Sequence, residues 1–154
     1  MTEAPGPGAG RIVVGVDGSP SSQQALRWGA RAAAAFGVGL DAVTAWEFPA
    51  GYGFGSVPSG WDPAQDMRTT LDQTVQEAFG DQPPAGLRRL VSEGGAAKVL
   101  LDASQDAIML VVGSRGHGGF AGLLLGSVSA NVAEHAQCPV LVIHGDQGPP
   151  APSA

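Results

Sequence analysis

The sequence is poor in cysteine. Only one of its 154 residues, Cys138, is a cysteine, so no disulfide can form within the chain. A lone thiol is typical of proteins in a reducing compartment, and we expect a cytoplasmic location. The first ten residues contain mainly glycine, proline and alanine, without the basic start and apolar stretch of a secretory signal.

Long apolar runs and basic clusters are also missing. No run reaches the roughly 18 to 20 residues that a membrane-spanning helix needs, so we expect no membrane segment. The formal net charge of -6 argues against binding to nucleic acids or anionic membranes, because both depend on basic patches. Backbone N–H groups could still form a local anion site. A hydrophobic content of 44% over 154 residues is typical of one globular domain.

Strand-like and helix-like segments alternate along the chain. Short apolar runs predict five strands, over residues 11–16, 40–46, 87–92, 108–112 and 139–144. Apolar residues spaced three and four apart predict four helices, over residues 20–36, 63–79, 95–105 and 124–136. This alternation favours βαβ units, and hence a single open α/β fold with a mostly parallel sheet covered by helices on both faces. We expect this domain over residues 11–144, between flexible tails at 1–10 and 145–154.

Two segments that follow strands could form a ligand site: the turn after the first strand and the loop after the fourth strand. In open parallel sheets, ligands bind at the carboxyl ends of strands where the strand order reverses. After the fourth strand the chain reads Gly113-Ser114-Arg115-Gly116, then nine residues, then Gly126-Ser127 at the start of a helix. Glycines let the backbone approach an anion closely, and a helix N-terminus adds partial positive charge. The loop therefore has the features of a phosphate cradle, with the Ser127 hydroxyl and the Arg115 cation as further candidates.

The alternative is that these glycines only make a tight turn and let the helix pack close to the sheet, and spacing alone leaves both interpretations open. The loop is also unlike two familiar nucleotide motifs. It lacks the GxxxxGK[ST] of a P-loop, and the first turn, Gly15 to Ser19, lacks the GxGxxG of a dinucleotide-binding domain.

Three stretches of the chain resemble the universal stress protein family. Gly113, Gly116, Gly126 and Ser127 fit the glycine pattern of the ATP-binding members, and the flanking GSVS and CPVLVI belong to a match that runs from Ile108 to Ile143. IVVGVDGSPSSQQAL, residues 12–26, is similar to the first strand and helix of the family, and EGGAAKVLLDAS, residues 93–104, to its third helix. One departure is Ile108, where family members commonly carry an acid; here the nearest acid is Asp106.

The resemblance implies a Rossmann-like sheet of strand order 3-2-1-4-5 that binds ATP between the first and fourth strands. It implies that Asp17 contacts the ribose or helps to hold Mg²⁺ or Mn²⁺, and that Ala45 contacts adenine. The other implied ligand-binding residues lie in the first turn, in the glycine loop and at the start of the fourth helix: Gly15, Val16, Gly18 and Ser19; Gly113, Ser114, Arg115, Gly116, His117, Gly118 and Gly119; Gly126, Ser127, Val128 and Ser129.

The resemblance also implies a homodimer, and strand 140–143 would supply an apolar edge for it. We expect a nucleotide-binding regulatory or stress-response protein rather than an enzyme, because no base or nucleophile can be nominated. A slow ATPase and a nucleotide-free interaction module stay open as alternatives.

His117 could touch phosphate or be only solvated, and Cys138 is expected to be a packed thiol. The aromatic residues of the 47–61 loop could form a lid or pack loosely.

Overall fold

The computed structural model describes residues 9–48, 59–115, 125–145 and 148–151. Strands and helices alternate throughout these ranges. The strands are β1 (Ile12–Gly15), β2 (Leu40–Trp46), β3 (Leu87–Glu93), β4 (Met109–Gly113) and β5 (Val140–Ile143). The helices are α1 (Pro20–Phe36), α2 (Pro63–Phe79), α3 (Ala96–Ala103) and α4 (Ser127–His135). None of the helices in these ranges is long and apolar enough to cross a membrane.

The five strands form one parallel sheet in the order β3-β2-β1-β4-β5. This confirms the predicted fold class and strand order. From β1 the chain builds outward through β2 to β3, then crosses back to add β4 on the other side of β1. β1 and β4 are therefore neighbours at the point where the strand order reverses, with Ile12 in register with Met109.

Local signals at the helix ends explain where α1 begins and ends. The Ser19 hydroxyl accepts a hydrogen bond from the Ser22 N–H at 3.2 Å, and Pro20 occupies the first helical position. Gly37 ends the helix with φ 68, a left-handed conformation that glycine adopts without steric cost. These are the signals from which the sequence predicts this helix.

The start of α4 was predicted too early. The sequence places Leu125 and Gly126 inside the helix, but α4 begins at Ser127, and Leu124 lies outside the described residues. Gly126 is the N-cap, with an extended backbone at φ -70 and ψ 170. Apolar leucines continue the helical period through this stretch, so periodicity alone does not mark the cap.

Two apolar clusters cover the two faces of the sheet. α1 and α2 lie on one face and enclose a cluster that includes Ile12, Val14, Leu40 and Leu71; α3 and α4 lie on the other, over Val13, Val43, Leu110 and Val132. Residues along each strand alternate between these clusters, as the pleat of a sheet requires.

A buried carboxylate ties together the amino-terminal ends of β1, β2 and β3. Asp41 is fully buried on β2, and its Oδ1 accepts hydrogen bonds from the Nε atoms of Arg11 and Arg88, each at 2.7 Å. Arg88 adds a second bond, from Nη2 to Oδ2 at 2.6 Å. Burial alone would raise the pKa of Asp41, but the hydrogen bonds and charges of Arg88 and Arg11 outweigh it and hold that pKa below its ordinary value.

Three aromatic rings at the ends of the 47–61 loop, whose role the sequence left open, contact one another. Trp46, Phe48 and Trp61 stack edge to face, with ring centroids 5.5 and 5.9 Å apart, whereas Tyr52 and Phe54 lie outside the described residues. Near the C-terminus, the Arg31 guanidinium of α1 donates to the carbonyl oxygen of Pro150.

Asp41→Asn should lower the free energy of unfolding at pH 7 by about 1 to 3 kcal/mol, because two charged hydrogen-bond partners lose their anion. A carboxyl with a lowered folded pKa stabilises the fold above its unfolded pKa, about 3.9. That stabilisation is lost as the pH falls through the folded pKa. Urea unfolding at pH 7 and at about pH 3 should therefore show a smaller difference between variant and parent at the acidic pH.

Asp72→Asn is the matched control for this measurement. Asp72 pairs with Arg89 at 2.8 Å, but both side chains are about half exposed, so its loss should cost less than about 0.5 kcal/mol. Equal losses for Asp41→Asn and Asp72→Asn would contradict the role given to the buried carboxylate.

Candidate functional site

A cavity of about 290 Å³ opens at the carboxyl ends of β1 and β4, where the strand order reverses. We call it the switch-point cavity. Most of the residues predicted to bind a ligand line it: Gly15, Val16, Asp17, Ser19, Ala45, Gly113, Arg115, Gly126, Ser127, Val128 and Ser129. Gly18 and Ser114 are described but do not line it, and Gly116, His117, Gly118 and Gly119 lie outside the described residues.

The turn from β1 to α1 forms one wall of the cavity. Asp17 Oδ1 accepts a hydrogen bond from the Ser19 N–H at 2.9 Å, which closes an Asx turn around Gly18. Val16 is held to β2 by two bonds, since its N–H donates to the Val43 carbonyl and its own carbonyl accepts from the Thr44 hydroxyl, both at 2.9 Å. One carboxylate oxygen of Asp17 is therefore used by the turn, and the other accepts no hydrogen bond from the described residues.

The glycine loop after β4 is braced by its own backbone. The Ser114 N–H donates to the Ile143 carbonyl at 2.8 Å, and the Ser114 carbonyl accepts from the Gly126 N–H at 2.6 Å and the Ser129 hydroxyl at 2.9 Å. Ser114 is therefore a structural connector between β4, β5 and α4. The Ser129 hydroxyl, predicted as a ligand contact, donates its hydrogen to the carbonyls of Ser114 and Gly126, and Ser129 itself lines the cavity.

The first turn of α4 faces the cavity without a cap. Gly126 has no side chain to cap the helix, and the first bond within α4 runs from the Ala130 N–H to the Gly126 carbonyl at 2.9 Å. Among the described residues, none accepts a hydrogen bond from the N–H groups of Ser127, Val128 or Ser129. These are the donors that a helix leaves unpaired at its N-terminus, and they carry its partial positive charge.

Gly113 shows that the loop glycines also have a packing role. A Cβ on Gly113 would lie 2.8 Å from the Cβ of Ser21 and 2.9 Å from its carbonyl carbon, too close for either atom. Next to it, the Ser21 hydroxyl donates to the Arg115 carbonyl at 2.6 Å. The end of β4 and the first turn of α1 therefore touch directly, and only glycine fits between them. Both interpretations that the sequence left open, anion approach and close packing, are thus compatible with this loop.

Several lining residues were not predicted. Val43, Ala96, Leu100 and Val112 make the inner wall apolar, and Ser22 joins them from α1. A Cβ on Gly15 would lie 2.7 Å from Leu100, so α3 approaches β1 closely here. Ala96 and Leu100 are four residues apart on α3, and this spacing on one helix face was the available signal.

The charged side chains in the described lining are Asp17 and Arg115. The described residues contain no cluster of three histidine, cysteine, aspartate or glutamate side chains that could hold a metal ion. Any metal in this cavity would therefore take most of its ligands from a bound molecule or from water. Away from the cavity, burial raises the pKa of the Cys138 thiol, which favours the unreactive protonated form.

The fold and the cavity define an open, doubly wound α/β domain with a ligand-sized opening at its switch point. The chain belongs to the universal stress protein family, whose sequence model matches residues 8–144. This confirms the resemblance seen in the sequence.

Individual relatives show how far the similarity extends. A universal stress protein of Mycobacterium tuberculosis is 34% identical over an alignment of 148 residues, and the match covers 88% of this chain and 48% of the relative. The chain thus spans about half the length of the curated relatives it matches. A universal stress protein solved in complex with cAMP is 31% identical, with a TM-score of 0.61 over 88% of this chain and 96% of that one. UspA from Lactobacillus plantarum has a TM-score of 0.68 at 19% identity, covering 90% and 99% of the two chains, and shows the shared fold.

Gly113→Ala should lower the free energy of unfolding by about 1 to 3 kcal/mol, because the added methyl group meets the backbone of α1 as well as a side chain. Urea unfolding followed by circular dichroism measures this loss. Gly95→Ala is the control for the added methyl group, since nothing lies within 4 Å of a Cβ there and its φ is -62. Gly95 is the N-cap of α3, so a loss below about 1 kcal/mol is expected from the change of cap alone. If the two variants lost equal stability, the close approach of α1 to β4 would not constrain residue 113.

Proposed function

We propose that this chain binds ATP in the switch-point cavity, as a regulatory or stress-response protein of its family. The observation that carries the proposal is the uncapped N-terminus of α4, whose first-turn N–H groups meet the glycine loop and the β1–α1 turn at one cavity. A helix N-terminus beside a glycine loop is a common anion-binding arrangement. The solved relative in complex with cAMP supports an adenine nucleotide as the ligand class.

The proposed pose follows the polarity of the lining. The apolar wall around Val43 and Ala45 would contact the adenine ring, and Asp17 and the first turn would contact the ribose. The phosphates would lie against the N-terminus of α4 and near Arg115. The remaining carboxylate oxygen of Asp17 and the phosphates together would hold Mg²⁺ or Mn²⁺, both of which favour oxygen ligands.

ATP would be a ligand rather than a rapidly consumed substrate. Phosphoryl transfer needs an in-line nucleophile and several positive groups around the transferring phosphate. The described lining supplies one cation, Arg115, and no lysine. We therefore propose hydrolysis that is at most slow. We also propose a cytoplasmic location, where Cys138 stays reduced.

The solved relative makes cAMP the second candidate ligand. A cyclic monophosphate carries one negative charge and needs no metal, whereas ATP carries several charges that a divalent ion would offset. Titration calorimetry with ATP and with cAMP, each with and without Mg²⁺, separates the two. ATP binding that strengthens with Mg²⁺ supports the proposal, cAMP binding indifferent to Mg²⁺ favours the second candidate, and no binding of either contradicts both.

Gly126→Glu should weaken ATP binding at least about tenfold, because a carboxylate at the N-cap of α4 repels the phosphates and competes for the same N–H groups. Ala133→Glu is the control, since it adds the same charge to an exposed position of the same helix, away from the cavity. Calorimetry on both variants, with circular dichroism to verify folding, measures the effect. Unchanged affinity in folded Gly126→Glu would mean that the phosphates bind elsewhere.

A homodimer through β5 is part of the proposal. β5 is an edge strand, and the carbonyls of Ile143 and of Pro139, the residue before β5, accept hydrogen bonds from the N–H groups of Ser114 and Leu110. The backbone N–H and C=O groups of Val140 and Val142 then point away from β4, toward the open edge of the sheet. Unpaired apolar edges of this kind tend to be covered. A second copy related by a two-fold axis would satisfy both edges at once.

Sedimentation at micromolar concentration with ATP should give a dimer for the parent chain and a monomer for Val142→Pro, which removes an outward N–H donor. The apolar character of the strand is kept, so folding should survive. A monomeric parent chain, or a dimeric folded variant, would contradict pairing through β5.

A further inference from the structure

Ser21 was not predicted to take part in the site, and it does not line the cavity. It is the second residue of α1 and is only 8% exposed. Its hydroxyl donates to the Arg115 carbonyl oxygen at 2.6 Å, across 94 residues of sequence. This bond directly joins the first turn of α1 to the loop that follows β4.

Capping of α1 does not explain this hydroxyl. The cap is supplied by Ser19, whose side chain accepts from the Ser22 N–H and whose carbonyl accepts from the Gln23 N–H at 3.1 Å. The Ser21 hydroxyl lies 3.4 Å from the Ser19 hydroxyl, but its much shorter bond is the one that it donates to the Arg115 carbonyl at 2.6 Å. This bond joins two elements, whereas the cap of α1 is formed by Ser19.

The bond fixes the direction of a carbonyl beside the proposed phosphate site. Ser114 and Arg115 directly follow β4, and the carbonyl groups of both are bound: that of Ser114 by Gly126 and Ser129, and that of Arg115 by Ser21. A carbonyl oxygen carries partial negative charge, so one turned into the cavity would repel a phosphate. The hydrogen bond directs the Arg115 carbonyl at Ser21 of α1, and Ser21 is not among the residues that line the cavity.

We propose that Ser21 is a positioning residue for phosphate binding. By holding the Arg115 carbonyl away from the cavity, it favours ligands that carry phosphate groups, without contacting the ligand itself. This inference rests on the proposed function, because it assumes a phosphorylated nucleotide in the switch-point cavity. The proposal predicts a difference that a purely structural role would not produce: the affinity for ATP should depend on Ser21, whereas the affinity for its nucleoside part should not.

The test compares ATP with adenosine on Ser21→Ala. The variant should bind ATP about five- to tenfold more weakly, the effect of losing one hydrogen bond and gaining repulsion, while its affinity for adenosine changes less than about twofold. Calorimetry measures ATP, and ligand-observed NMR, which registers millimolar affinities, measures adenosine. Ser104→Ala is the matched control, since Ser104 is a buried serine whose hydroxyl also donates to a carbonyl, that of Leu101, outside the cavity lining. It should leave both affinities unchanged.

Each outcome is decisive. Equal weakening of ATP and adenosine, or no weakening of ATP, would overturn the role of Ser21 while leaving ATP binding by the parent chain intact. Failure of the parent chain to bind ATP would contradict the proposed function itself. If Ser21→Ala does not fold, Ser21→Cys replaces it, because a thiol of similar size is a weaker donor and should shift ATP affinity in the same direction.

Discussion

The candidate site depends on the close approach of α1 to the end of β4. Gly113 leaves no room for a Cβ against Ser21, and the Ser21 hydroxyl holds the Arg115 carbonyl two residues further on. If α1 were displaced outward, the β1–α1 turn and the glycine loop would no longer share one cavity. The parallel pairing of β1 with β4 brings these segments to the same edge, and the contact at Gly113 sets the distance between them.

Local signals were enough to predict the alternation of strands and helices and several helix ends. Ser19-Pro20 and Asp62-Pro63 mark helix starts whose side chains cap as expected, and Gly37 ends α1 in the predicted place. The start of α4 was wrong because Leu125 continues an apolar period while Gly126 takes an extended backbone. A glycine N-cap has no capping side chain, so no residue type in the sequence marks this helix start. The strand order came from the family resemblance, since pairing between distant strands has no local signature.

The site was predicted as two segments but not as a set of contacts. The turn after β1 and the loop after β4 do meet, yet the Ser114 backbone and the Ser129 hydroxyl are used in bracing the loop. The sequence does not distinguish a serine whose hydroxyl faces a ligand from one whose hydroxyl faces a backbone carbonyl. The apolar wall from Ala96 and Leu100 was missed for a related reason, because those residues also read as ordinary core positions of α3.

The two ends of β2 have different surroundings: a buried ion-pair cluster lies at one end, and the cavity lies at the other. Asp41 anchors the amino-terminal end through two arginines, and Ala45 lines the cavity at the other end, four residues or about 13 Å away along the strand. At the anchored end the buried carboxylate is compensated by two guanidinium groups, those of Arg11 and Arg88. At the cavity end the α4 N–H groups have no acceptor among the described residues. An anion bound there, as proposed, would accept hydrogen bonds from these N–H groups, which is the physical reason for placing the proposed ligand at this end of the sheet.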